Sequence, residues 1–269
     1  MKSACSSLRR WGWRLWVVLL TVMVGCVSEE ARVRSSELYE EGVQYYLAGQ
    51  YDQGASRLSQ AASATDDGAL RARASLLEGR CYLGLAQFHQ AERAFRRGLS
   101  AGSAPTQTKA GLEVGLADSL YGQERYREAA DQYRRALQRH RDLVPADEAT
   151  FKLALAYQRD GLWEAARREF AQLALRFPQS PRAGAAREYA RSQSRAFAVQ
   201  CGAFSSSASA DRLAGELRAK GFTPRTVPMT TPDGRTLSAV RVGSFRTWAE
   251  AVPVRSRLQA AGFEARITP

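Results

Sequence analysis

Phe197-Ala198-Val199-Gln200-Cys201-Gly202-Ala203-Phe204 returns forty-one residues later as Ser238-Ala239-Val240-Arg241-Val242-Gly243-Ser244-Phe245. At the same offset Leu217-Arg218-Ala219-Lys220-Gly221-Phe222 falls on Leu258-Gln259-Ala260-Ala261-Gly262-Phe263, and eleven of 31 gap-free pairs are identical. The C-terminal stretch is therefore a duplicated half-domain. In each half, alternation of period two runs up to a Gly-x-Phe, which predicts a strand. A helical face follows, such as Ala210, Leu213, Ala214 and Leu217, then a glycine suited to a helix C-terminus and a second extended run. Pro232-Asp233-Gly234 joins the halves as a hairpin. The expected unit is βαββαβ, with both helices on one face of a four-stranded sheet.

Strand parity then sorts the side chains. Phe197, Val199, Cys201 and Ala203, with Val240 and Val242, are expected to face the helices. Ala198, Gln200, Gly202, Arg241 and Gly243 are left on the open face. Glycines there permit close approach of a polymer, while Gln200 and Arg241 offer planar hydrogen-bond groups and Arg241 adds charge. Phe204 and Phe245 lie just past the glycines, where a bulge turns them either into the core or toward a ligand. Pro253 interrupts the second helical pattern, so Thr247-Trp248-Ala249-Glu250 is expected to open a short turn before a helix restarting near Pro253.

This stretch resembles a SPOR (sporulation-related repeat) domain over 194–269. The resemblance rests on Phe197 to Phe204, Ala210 to Phe222, Val240 to Phe245 and Ala260-Ala261-Gly262-Phe263. It implies binding of peptidoglycan glycan strands stripped of stem peptides, through the open sheet face. Gln200 and Arg241 carry over by position as contacts, Gly202 and Gly243 as residues that permit approach, and Phe204 and Phe245 as flanking contacts. Cys201 departs from the usual aliphatic residue.

Upstream, over 36–192, a second self-similarity has a period near 37. Gly42-x-x-Tyr45-x-x-x-Gly49-x-Tyr51-x-x-Gly54-x-x-x-Leu58 is followed by Gly79-x-x-Tyr82-x-x-x-Ala86-x-Phe88-x-x-Ala91-x-x-x-Phe95. The third and fourth blocks run from Ala117 through Tyr126-x-x-Ala129-x-x-x-Tyr133, and from Ala154 through Gly161-x-Trp163-x-x-Ala166-x-x-x-Phe170. Each block predicts two antiparallel helices, with small residues where helices cross and aromatics between successive pairs. Ala and aromatic positions are expected in the core, His89 and His140 on the surface. Glu124, at the position of the turn glycine, predicts a looser third turn. A helix ending near Arg191 is expected to cap the stack.

The blocks resemble the tetratricopeptide repeat (TPR), giving an α+β multidomain chain: an all-α TPR solenoid followed by the βαββαβ domain. That family implies a concave groove for an envelope protein or peptide. Gln44, Arg80 and Lys152 are groove candidates, with a plain solvated face as the alternative.

At the other end, residues 1–25 read as an export signal. Lys2, Arg9, Arg10 and Arg14 precede the apolar run from Leu15 to Gly25, about half the length of a bilayer span. Met23-Val24-Gly25-Cys26 resembles a bacterial lipobox, which implies acylation of Cys26 as a membrane anchor, a linker over 26–35, and placement on the periplasmic face of the outer membrane. A chain starting at Cys26 carries 35 basic and 27 acidic residues, or +8, of which residues 195–269 hold +6. Cys81 and Cys201 both sit at apolar-patterned positions, which favours buried thiols over a disulfide between them.

Two histidines leave little from which to build a metal site or a Ser/His pair. The chain is expected to be no enzyme and to need no metal or cofactor. Nucleic acid is excluded as partner, because the third strand lacks the stacked aromatics of RNA-binding sheets and export removes the substrate. The resulting expectation is an envelope lipoprotein that binds denuded glycan at sites of wall remodelling, such as the division septum. The alternative is a TPR assembly scaffold for an outer-membrane or secretion complex, with the C-terminal domain as its localisation tag.

Overall fold

The computed structural model describes residues 29–269 except Val144 and Pro232. The expected leader, Cys26 and the proline of the hairpin lie outside the described residues. Paired helices come first: α1 (29–47) with α2 (Tyr51–Ala64), α3 (Gly68–Gly84) with α4 (Phe88–Leu99), α5 (Thr106–Gly122), α6 (Tyr126–Arg139), α7 (Ala146–Arg159) with α8 (Trp163–Arg176), and α9 (Ala183–Arg191). The chain divides into two compact units, one ending at Gln123 and one spanning Glu124–Pro269.

The same turn joins the helices of each pair. Gly49, Ala86, Glu124 and Gly161 take φ values of 73°, 55°, 62° and 80° at equivalent positions. The residue after the turn donates back to the first helix, as in Gln50 N–H to Tyr45 O at 2.9 Å, Gln87 to Tyr82 at 2.8 Å and Leu162 to Tyr157 at 2.8 Å. Glu124 adopts the left-handed conformation of the glycines instead of relaxing the turn, at a cost of about 1–2 kcal/mol for its Cβ.

Small residues and aromatics interlock as the pattern requires. Phe95 is fully buried and its ring lies where a Cβ on Gly79 or on Gly115 would go, so a larger residue at either crossing displaces the ring. Burying such a ring contributes roughly 1.5–3 kcal/mol. The first residue of each second helix forms a ladder of its own. A Cβ on Gly84 would meet the Tyr51 ring at 2.7 Å, and one on Gly122 would overlap Phe88. In the second unit Arg159 Nη1 donates to the Tyr126 hydroxyl at 3.0 Å. Beyond α8, α9 closes the last pair as expected, with Tyr189 stacked on Phe170 at 4.7 Å.

His140 departs from its expected surface place and is buried, 8% exposed. The chain reverses after α6, with Leu143 N–H donating to His140 O at 3.0 Å, and this turn folds the imidazole in. His89 is exposed.

The C-terminal part of the second unit is a four-stranded antiparallel sheet in the order β2-β3-β1-β4, from β1 (Phe197–Phe204), β2 (Pro224–Thr230), β3 (Thr236–Phe245) and β4 (Arg266–Thr268). Two helices, α10 (Ser207–Ala219) and α11 (Trp248–Ala260), cover one face through Ala210, Ala214, Leu217, Ala251 and Leu258. The expected break before Pro253 is absent: α11 runs through it. Pro253 forfeits only the bond to the carbonyl of exposed Ala249, while Ala251 and Leu258 hold the helix on the sheet. The start of α11 is a capping box, with Glu250 N–H donating to Thr247 Oγ1 at 3.3 Å and Arg246 N–H to Glu250 Oε2 at 3.0 Å.

The ladder of aromatics ends in this core. Trp163 occupies the position of Tyr51, Phe88 and Tyr126, yet its ring packs on Phe197 at 4.7 Å and joins the cluster beneath α10 and α11. Its indole N–H donates to Arg246 O at 3.0 Å, and the Arg159 guanidinium lies 4.1 Å over the Trp248 ring. Where a further repeat would sit on Trp163, the sheet domain sits instead.

Candidate functional site

Register places the functional side chains, and two bulges decide it. Gln200 pairs with Arg241 but Gly202 pairs with Val240, so Cys201 is an extra residue on β1. Phe197 pairs with Phe245 and Val199 with Val242, so β3 carries an extra residue around Gly243, whose φ is +74°. Each bulge shifts the parity of the residues beyond it. Gly202 turns to the helix side: a Cβ there would meet the Phe204 ring at 2.8 Å and Leu213 of α10 at 3.1 Å. Ala203 pairs with Ala239 and moves to the open face, opposite to its expected side.

Gly202 and Gly243 therefore leave their expected open face, and Phe204 and Phe245 take the core side of the two that a bulge allowed. Phe204 and Phe245 both pack against the cluster beneath the helices. The Phe245 ring fills the space where a Cβ on Gly243 would go, as the Phe204 ring does for Gly202. In both halves the Gly-x-Phe is a staple, in which a ring folds back over a glycine two residues earlier. Simple alternation could not reveal this, because an inserted residue leaves no mark in a period-two pattern.

Gln200 and Arg241 lie on the open face, half-buried and side by side, with Arg241 Nε donating to Gln200 Oε1 at 3.3 Å. Burial, and then the guanidinium of Arg225, push the Arg241 pKa down from its ordinary value. Arg225 is the partner of Arg241 on β2, and Arg266 is the partner of Gln200 on β4. One straight row thus crosses the sheet as Arg225, Arg241, Gln200, Arg266. Next to it Val227 pairs with Ala239, and then Met229 with Leu237, giving the face an apolar strip.

Sequence reasoning missed Arg225 and Arg266, although the signal was present. They are an identical pair of the same offset that relates Gln200 to Arg241. Among the described residues neither Arg225, Arg241 nor Arg266 is ion-paired with a carboxylate.

Of the groove candidates, two lie in the first unit and one in the second. Gln44 and Arg80 are exposed on α1 and α3. Gln44 lies among the carboxylates Glu37, Glu40 and Glu41 in a surface depression of α1. Lys152 on α7 pairs with Glu148 at 3.2 Å. Cys81 and Cys201 are free, buried thiols, and burial pushes both up to about 11. Among the described residues no helix is long and apolar enough to cross a membrane.

Comparison with known proteins meets this geometry at both ends. The SPOR domain model matches residues 193–268, and a tetratricopeptide repeat model matches residues 148–180. No curated protein matches significantly. Among solved structures, the chain is similar to the peptidoglycan binding domain of the B. subtilis cell wall lytic enzyme CwlC. That similarity has 34% identity, covers 29% of this chain and 94% of that one, and has a TM-score of 0.24. It is also similar to a Podosopora anserina protein of nearly identical TPR-like repeats, at 16% identity over 60% of this chain and 84% of that one, TM-score 0.49. YrrB, a TPR protein with an unusual peptide-binding site, matches at 17% identity over 64% and 85%, TM-score 0.47. The chain carries a SPOR domain over its C-terminal residues, preceded by a helical region of the tetratricopeptide kind.

Proposed function

We propose that this chain is a lipid-anchored envelope protein whose residues 194–269 bind peptidoglycan glycan strands stripped of stem peptides, and whose residues 36–192 hold a protein or peptide partner. The observation that carries the reading is the placement of Gln200 and Arg241. They stand together on the sheet face opposite α10 and α11, hydrogen-bonded at 3.3 Å, in a domain of the SPOR kind. An amide and a guanidinium present donors and acceptors to sugar hydroxyls, and the neighbouring strip of Val227, Met229 and Leu237 suits the apolar faces of pyranose rings.

Contact on an open sheet is weak per site. Acylation of Cys26 would hold the domain near the wall and raise its effective concentration there, without any new bond at the interface. On this reading the protein sits on the periplasmic face of the outer membrane, gathers where amidases have bared the glycan, as at a division septum, and delivers its repeat-bound partner there. It is a binder and organiser, with no catalytic step of its own.

Residues 27–269, which hold every described element, test the reading by co-sedimentation with sacculi. Amidase-treated sacculi retain the protein and untreated sacculi retain far less, while Gln200→Ala combined with Arg241→Ala removes the difference. Equal retention on both kinds of sacculi would overturn the reading.

A further inference from the structure

The row across the sheet has a symmetry of its own. Gln200 and Arg241 occupy its centre, and Arg225 and Arg266 its two ends, each pair related by the internal duplication. Strands lie about 4.8 Å apart, so the end arginines stand roughly 14 Å from one another across three strand steps. Both end residues are exposed and belong to edge strands.

Such a row costs the fold free energy. Like charges directly opposite on neighbouring strands are destabilising, and Arg225 faces Arg241 in that relation. No carboxylate of the described residues is paired with the row, although acids are plentiful elsewhere, and exposed Arg235 at the hairpin pairs with its own Asp233 at 2.7 Å. What would offset the repulsion is an anion from outside. Guanidinium groups take carboxylates through two parallel hydrogen bonds, a geometry that lysine or glutamine cannot supply.

We infer that Arg225 and Arg266 make this face selective for a polyanionic saccharide, each end arginine gripping a free carboxylate of the strand while Gln200 and Arg241 hold the sugar between them. The inference rests on the glycan-binding reading above and adds to it the chemical feature that is read. In wall glycan the group is the lactyl carboxylate, which becomes a free anion only when the stem peptide is removed from it. Recognition of bare strands then follows from charge as well as from the absence of a bulky peptide.

Two soluble glycan preparations separate the carboxylate clamp from glycan binding itself: amidase-denuded strands, and the same strands with their carboxyl groups reduced to alcohols. Binding to residues 27–269 is followed by calorimetry at two salt concentrations. The expected result is at least tenfold weaker binding of the reduced strands, and a loss of about five- to tenfold for Arg225→Gln and for Arg266→Gln alone. The double variant is expected to bind both preparations alike, with most of the salt dependence gone, at a melting temperature equal to or above that of the unaltered chain. If native and reduced strands bind equally well to the unaltered chain, the carboxylate clamp is wrong and the glycan-binding reading stands. If the unaltered chain binds neither, both are overturned. Weakening of native strands by Arg225→Gln without weakening by Arg266→Gln would overturn the two-ended grip.

Discussion

The two halves of the C-terminal domain began as one sequence, and their differences are more instructive than their agreement. Where they agree, at Gly-x-Phe, at the Ala and Leu positions of the helices, at Gly221 and Gly262 and at Arg225 and Arg266, the residues build the sheet, its cover and the ends of the row. They part at the turn into the helix. The first half has exposed Ser205-Ser206-Ser207, and its helix begins with no side-chain cap. The second has Arg246-Thr247-Trp248, which supplies a capping box, the carbonyl that accepts from Trp163 and the ring beneath Arg159. Duplication made a symmetric platform, and divergence where the second helix begins joined it to the helices before it.

Breaking that joint has the largest expected effect. Trp163→Ala removes a ring from the core of the sheet domain and should destabilise the second unit by about 3–5 kcal/mol in chemical denaturation. Tyr51→Ala, at the equivalent repeat position, should leave the second unit's transition unchanged when the two units are followed separately. A matching change in both variants would mean that Trp163 is only another repeat aromatic.

The bulge glycines come next. Gly243→Ala forces a left-handed φ on alanine and drives its methyl into the Phe245 ring, an expected cost of about 2–4 kcal/mol. Gly202→Ala keeps an ordinary φ and meets only side-chain atoms, the Phe204 ring edge and Leu213, and should cost roughly 1–2 kcal/mol. The reverse order would show that the two bulges have been misassigned between the strands.

Smaller contrasts sharpen the comparison. Thr247→Ala loses a cap and should cost about 1 kcal/mol, whereas Ser206→Ala should be close to neutral. Cys201 stands where the second half has Val242. With its thiol pushed up to about 11 by burial, it stays neutral in the fold after the unfolded thiol ionises near 9, so stability is full below pH 9 and falls between about 9 and 11. Cys201→Val should make that fall shallower in a pH series of melts and cost less than about 1.5 kcal/mol at neutral pH.

Much of the architecture was legible in the sequence because both repeats are written in residue types that packing cannot do without. Small residues at Gly42 and Gly79 mark helix crossings, and Gly-x-Phe marks the end of a strand. The face of the sheet was only half legible. Gln200 and Arg241 fall on the expected face because they precede the bulge on β1 and lie before the one on β3 as the chain runs. Gly202 and Gly243 do not, because register is a long-range property that one strand's alternation does not contain, while Phe204 and Phe245 take the core side of the two that a bulge allowed. Arg225 and Arg266 were hidden for a different reason. They lie on edge strands outside the best-matched blocks, and only pairing across the sheet brings them into line with Gln200. Trp163 looked like a fourth repeat aromatic, and nothing local indicates that its neighbour is a sheet.

The most direct test of the central claim is residue-resolved amide chemical-shift mapping of residues 27–269 titrated with denuded glycan strands. The expected result is that the perturbed amides cluster at Gln200, Arg225, Arg241 and Arg266 on the open face, while α10, α11 and the Phe204 and Phe245 staples stay put. Perturbations centred on the helix-covered side, or none at saturating glycan, would contradict it.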